Sequence, residues 1–445
     1  MPEAVNALSP AVAAMACEWP MLEALMGGTA RMRSEGERLL PRWPGEEAES
    51  YRARLATATL FPALRRTVSA MVGKPFAKPL MLSADAPEAV VQWADDIDGE
   101  GVSLHVFAAE MFAEALTYGL AGILVEAPRA DGPATMADQA AAGVRPYFVR
   151  VMHGQILGWR TEVVNGARVL SQLRLAECAS VADGAFGETA VERVRVLEPG
   201  RWAVWERAKN SEKGDEWIEV EAGESGLPVV PFVPLYGTRV DFMRGQPPLL
   251  DLAYLNAKHW QSQSDQDTIL HVARVPILAL VGGDKTTALT VGSGTAVSLP
   301  AGGDLKFVEH SGAAIAAGQA ALDALEAQMI QSGAELLVRK PGTRTAAEAV
   351  GDAEASKSDL QRLAENFEDA LDQALFLMGR YAGLAGGGSV SLFKDFGAAT
   401  LAAASGQLVL AMRSAGLISA ETAVAELKRR GELAEGVEVG ALAAS

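Results

Sequence analysis

Three stretches of this chain carry residue types at spacings that chemistry could use. Asp96, Asp98, Glu100 and Gly101 fall on positions one, three, five and six of a calcium-binding loop. The twelfth position, which must supply a bidentate carboxylate, would be Phe107; a solvated turn opening a helix is the plainer reading. Gly283-Asp284-Lys285-Thr286-Thr287 has the lysine and threonine of a phosphate loop. It lacks the glycine immediately before the lysine and another five residues earlier, and Asp284 would repel phosphate, so a hairpin turn fits better. Val338-Arg339-Lys340-Pro341-Gly342-Thr343-Arg344 gathers Arg339, Lys340 and Arg344 in an otherwise acidic chain. Such a cluster can complement the C-terminus of a preceding helix, and it can meet phosphates.

The remaining candidates are weaker. His259 and His271 are twelve apart on one predicted helix, over three turns, and cannot share a metal by themselves. His105, His153 and His310 have no carboxylate or cysteine partner nearby in sequence and read as surface or satisfied core histidines. The chain has only Cys17 and Cys178, and no GxSxG, HExxH or CxxC. No catalytic residue, metal or cofactor is expected. A soluble enzyme whose site is assembled from distant residues stays open as an alternative.

At 445 residues the chain has material for roughly two or three compact bodies. A hydrophobic share of 49% with 21% charged residues marks a folded protein. The net charge of −17 excludes a protein whose main task is to grip nucleic acid by its phosphates. It leaves room for one that nucleic acid slides past. No apolar run approaches the ~20 residues of a membrane span, no basic region precedes the N-terminal apolar residues, and the cytosol is the default compartment.

The elements that must position these residues centre on Gln319 to Tyr381. Leu322, Leu325, Met329 and Leu336 recur at helical steps, and Pro341-Gly342 stops that helix. Thr345 and Glu348 have capping-box spacing, which predicts a second, longer helix from there. Its apolar stripe is Leu360, Leu363, Phe367, Leu371, Leu375, Met378 and Tyr381, with Glu365, Glu368, Asp369 and Asp372 opposite. Earlier, residues 1–43 read as loosely organised helix, with Leu22, Leu25 and Met26 available to a partner and Gly27-Gly28 as a break. A stronger helix spans Glu46 to Val72, with Pro62 kinking or restarting it. Ser103 caps a helix that ends near Gly119, and Ile123-Leu124-Val125 follows as a buried strand. Between Pro146 and Val240 the period changes from 3.6 to 2, which predicts an antiparallel β body. Pro247-Pro248 opens a long helix to about Val275. Its middle, His259 to Thr268, is polar all round except for Trp260, so a helix that is solvated, bridges subunits or lines a wet passage is expected there and not a core one. Strands are expected within 276–310, including Val297-Ser298-Leu299, and at Ser389 to Phe393. Two amphipathic helices are expected within 398–431.

In order and spacing, several stretches resemble the portal proteins of tailed bacteriophages, in a branch long catalogued only as a domain of unknown function. They are Tyr51-Arg52-Ala53-Arg54 through Val72-Gly73-Lys74-Pro75-Phe76, Asp96 to Leu104, Gly119 to Pro128, Arg145-Pro146-Tyr147 with Trp159-Arg160, Val196 to Gly200, Pro248 to Asn256 with His259-Trp260, and Thr343 to Ala349. Glu126 departs from the more usual Asp. The resemblance covers most of residues 40–430 and implies an α+β, mostly helical portal fold, assembled as a twelve-fold ring around a channel for double-stranded DNA. It implies a wing (1–247), a stem helix (248–275), a clip with return strands (276–318), a second stem helix (319–338), a tunnel loop (339–344), a long wing helix and strand (345–397) and a crown (398–445). Arg339, Lys340 and Arg344 would then be the tunnel loop, Gln261, Gln263 and Asp267 the stem lining, and Asp284 and Lys285 part of the clip. The partners it implies are the terminase large subunit, a head–tail adaptor, and major capsid and scaffold proteins. The protein would sit in the virion after assembly in the host cytoplasm, with no membrane. Another head–tail or minor capsid component is a further alternative. The acidic balance suits a conduit, since a strongly basic bore would trap phosphates.

Overall fold

The computed structural model describes residues 4–127, 145–208, 216–274, 277–281, 304–308, 313–334 and 358–394, with positions 413 and 419. In chain order the helices and strands begin with α1 (Pro10–Ala16), α2 (Trp19–Ser34), α3 (Ala48–Thr57), α4 (Ala63–Gly73), β1 (Met81–Leu82), α5 (Glu88–Trp93) and α6 (Leu104–Tyr118). A strand-rich stretch follows: β2 (Leu120–Glu126), β3 (Tyr147–Val151), β4 (Ile156–Val164), β5 (Ala167–Asp183), β6 (Gly187–Glu198), β7 (Arg201–Arg207), β8 (Trp217–Glu224), β9 (Phe232–Tyr236), β10 (Thr238–Asp241) and β11 (Arg244–Gln246). The chain continues through α7 (Leu250–Ala273), β12 (Ile277–Val281), β13 (Asp304–Val308), α8 (Ala313–Ala334), α9 (Asp359–Tyr381) and β14 (Val390–Ser391). These are helices and antiparallel strands, the α+β class, in two compact units. One contains residues 1–22, 65–250 and 333–445; the other contains 23–64 and 251–332.

In the first unit the Ser103 hydroxyl caps α6 by accepting the Val106 N–H at 3.4 Å. Gly119 ends the helix in the left-handed conformation at φ 86°, which a residue with a Cβ adopts only at a cost. The chain then enters β2, the central strand of a three-stranded sheet ordered β3-β2-β9. Being central, β2 is buried from Leu120 to Val125 and reads as a continuous apolar run. Gly122 belongs there because a Cβ would overlap the Phe232 ring of its neighbour strand. The second sheet is a meander, β4-β5-β6-β7-β8. Its first turn is Asn165-Gly166 with both φ positive, at 51° and 80°, as a two-residue hairpin requires.

Helix α9 places the predicted stripe inside: Leu360, Phe367, Leu371, Leu375 and Met378 are buried. Phe367 meets the edge of Phe112 at 5.1 Å, and Phe76 packs against both. The start of α9 corrects the expected single helix from Thr345. Ser358 is extended (φ −73°, ψ 158°) and forms a capping box with Gln361, so the helix begins at Asp359. The Thr345–Glu348 spacing lies outside the described residues. The opposite face is also less solvated than expected. Glu368 accepts the Leu392 N–H at 2.6 Å and the Lys394 ammonium at 2.7 Å, and Asp372 accepts the Val390 N–H at 2.7 Å. These bonds hold the segment in which β14 pairs with β1.

Near the N-terminus, Leu22 and Leu25 are 0% and 1% exposed, so they are core residues and not a partner surface. Gly28 does break α2, at φ 79° and ψ −165°. The predicted Glu46–Val72 helix is two helices, α3 and α4, with the chain restarting after Pro62. Val297 to Leu299 and residues 398–431 lie outside the described residues, apart from the two single positions.

Candidate functional site

The second unit contains α7, the antiparallel hairpin β12–β13 and α8, in that chain order. At 24 and 22 residues the helices are about 36 and 33 Å long. Leu322, Leu325 and Met329 of α8 are buried, as their spacing predicts.

The polar middle of α7 is buried at His259, Trp260, Ser264 and Gln266 and half-buried at its other positions. Asn256, His259, Ser264 and Gln266 are 0 to 4% exposed, and Trp260 is fully buried. Part of the reason is that the helix's amide side chains bond backbone groups of the segments packed around it. The Asn256 amide donates to the Phe61 carbonyl at 2.8 Å, and its oxygen accepts the Leu64 N–H at 3.0 Å. One side chain thus satisfies both sides of the break between α3 and α4. Gln261 donates to the Leu39 carbonyl at 3.0 Å and Gln266 to the Ile315 carbonyl at 2.9 Å. His259 approaches Glu326 at 3.4 Å and the Phe61 ring at 5.3 Å. The amide side chains thus stand where water otherwise would, whereas the His259 ring nitrogens, the Trp260 indole N–H and the Ser264 hydroxyl are buried without a hydrogen-bond partner among the described residues.

A buried ion cluster completes this packing. Arg54 makes two 2.8 Å bonds to Glu46, a third to the Pro41 carbonyl, and lies 4.2 Å over the Trp43 ring. Its guanidinium holds the Glu46 carboxyl below its ordinary range through that hydrogen bond. Asp265 of α7, 3.9 Å from Arg54, is instead raised, chiefly by burial.

Of the proposed lining residues, Gln261 is half-buried and committed to Leu39, while Gln263 and Asp267 are half-buried and bonded to each other at 2.8 Å. Arg339, Lys340 and Arg344, and likewise Asp284 and Lys285, lie outside the described residues.

Elsewhere the titratable residues work for the fold. Asp96 accepts the Gly101 N–H and pairs with Arg145 at 2.7 Å; Asp98 accepts the Glu100 and Val102 N–H groups and pairs with Arg150. The calcium-like spacing therefore organises a turn. The His105 ring nitrogen accepts the Leu80 N–H. His153 lies 2.6 Å from Glu114 and stacks on Tyr118 at 3.6 Å, a partnership invisible in local sequence. Its one signal is Glu114 itself, an acid inside the apolar run of α6. Glu126 and Glu177 share Arg195, with the Tyr147 hydroxyl donating to Glu126. Burial pushes the Glu177 carboxyl upward against the pull of Arg195. Among the described residues there is no group of three His, Cys, Asp or Glu placed to hold a metal, and no helix long and apolar enough to cross a membrane.

Residues 248–382, which run from α7 through α9, match a family described as "Domain of unknown function (DUF4055)". No curated protein matches the chain. Among the solved structures similar to it are three at 14% identity, each with a TM-score of 0.43. One is described as the virion of a native gene transfer agent particle, with 87% of this chain and 96% of that chain covered. The others are the neck of the empty particle computed with C6 symmetry (89% and 97%) and the neck of the native particle computed with C12 symmetry (89% and 98%).

Proposed function

We propose that this chain is a portal-type subunit, copies of which form a ring at one capsid vertex through which double-stranded DNA passes during packaging and ejection. The observation that carries this reading is the helix–hairpin–helix of α7, β12–β13 and α8 within one compact unit, at the chain positions where the sequence resemblance calls for stem, clip and stem. On this reading the hairpin region, with Asp284 and Lys285, meets the terminase motor and later a head–tail adaptor. Gln263 and Asp267 face the passage, with Gln261 beside them. Arg339, Lys340 and Arg344 are the tunnel loop that touches phosphates briefly. An acidic chain with few bases at the bore lets a duplex move instead of trapping it. The protein does no chemistry on the DNA.

Negative-stain imaging of the purified protein tests the ring: closed particles with a central hole are expected, and only monomers or dimers under every salt condition would refute it. Replacing Arg339, Lys340 and Arg344 with Ser leaves the ring intact and lowers DNA retention in packaging. Loss of the ring itself would contradict the tunnel-loop assignment.

A further inference from the structure

The five-stranded sheet carries two opposite kinds of surface at the two ends of its longest strand. β5 has 17 residues, roughly 55 Å end to end. At its far end β5 and β6 leave the rest of the sheet as a two-stranded ribbon, with every residue from Ser180 to Ala190 exposed. At the tip the Phe186 ring is fully exposed, and Val181 is 42% exposed. The ribbon is acidic throughout: Asp183, Glu188 and Glu192 are exposed, and no Lys or Arg occurs from Ala176 to Glu192. Asp183 accepts from Thr189 and Glu188 from Ser180, so the carboxylates are held in place by neutral hydroxyls. A two-stranded ribbon with neither face covered is marginal in water, and an aromatic ring at its tip gains nothing from the ribbon itself.

At the near end of β5 the turn from β4 adjoins the β10–β11 hairpin, as the 3.2 Å contact of Arg168 with Asp241 shows. Val163 is 72% exposed there and Val240 56%. Around them stand Arg168, Arg239 and Arg244, against Glu162 and Asp241. This end is apolar with a basic excess, where the other is apolar and acidic.

We propose that the acidic, Phe186-tipped ribbon of one copy docks on the Val163 and Val240 patch, beside Arg239 and Arg244, of a second copy of this chain. The contact joins two different surfaces, so it is heterologous, and repeated around an axis it closes a ring. Charge complementarity sets its direction and makes it weaken with salt. The inference deepens the ring reading above and rests on it.

Sedimentation velocity across protein concentration, at low and moderate salt, tests it with charge reversals. Asp183→Lys with Glu188→Lys, and separately Arg239→Glu with Arg244→Glu, each weaken self-association by about tenfold or more. Mixing the two variants, or combining all four changes in one chain, restores it to within about threefold of the parent. Phe186→Ser weakens association at both salt levels, because its contact is apolar. Thermal unfolding of each variant guards against loss of fold. Variants that remain folded and assemble like the parent overturn the contact and leave the ring standing. A parent chain that never associates overturns both.

Discussion

Helices α7 and α9 are nearly equal in length, 24 and 23 residues, and are held in place by different physics. α9 has a clean apolar stripe, and its place follows from removing that stripe from water. α7 has no such stripe, yet Trp260, Asn256, His259, Ser264 and Gln266 are all buried. Asn256, Gln261 and Gln266 tie it to neighbouring backbone by directed hydrogen bonds, while His259, Trp260 and Ser264 are buried with side-chain polar atoms that make none among the described residues. The difference teaches that a polar helical segment is not thereby a wet one. Amide side chains can stand in for solvent at the backbone groups they pack against.

The largest test of this contrast lies in the charged packing beside α7. Arg54→Met leaves Glu46 buried with its charge unpaired and costs about 4 kcal/mol at neutral pH in denaturant unfolding. The sign of the pH dependence follows from the depressed Glu46 carboxyl. Its contribution in the parent is present above the unfolded-state value and is lost as pH falls through the folded one; in the variant that dependence shrinks, with the Trp43 N–H still bonded to the carboxylate. A variant as stable as the parent, with the parent's acid limb, would mean the pair is not what anchors this packing.

Next come paired substitutions, one on each helix. Asn256→Leu strands the Leu64 N–H, leaves the Phe61 carbonyl with only the Ala63 N–H and costs about 3 kcal/mol, despite adding apolar surface. Leu371→Met, a near-equal volume on a buried stripe, costs under about 1.5 kcal/mol. Equal costs would erase the distinction between the helices.

The smallest effect is at the start of α9. Ser358→Ala removes one arm of the capping box and lowers stability by about 1 kcal/mol, while Ser358→Asp retains most of it. A neutral Ser358→Ala would mean that the stripe alone determines where the helix starts.

Much of the fold was legible in advance, for identifiable reasons. Ser103 and Gly119 bound α6 because capping and left-handed turns are local events. The shift to period 2 after Pro146 marked the β body because alternation reflects one strand at a time. The stripe of α9 and the Leu322, Leu325 and Met329 face of α8 were legible for the same reason. The Asn165-Gly166 turn was equally local and went unread. The candidate site was less legible. His153 finds Glu114 39 residues away, and Arg195 finds Glu126 69 residues away. Neither spacing is periodic, so no pattern announces them.

By itself the sequence determined the helices with stripes, the alternating strands, the turns and the acidic balance, because each depends on neighbours within a few residues. Only the tertiary structure decided that Leu22 and Leu25 are core, that α9 begins at Asp359 and that part of the polar middle of α7 is buried. Those outcomes depend on which distant backbone groups come to lie unsatisfied beside a side chain, and chain order alone does not encode that proximity.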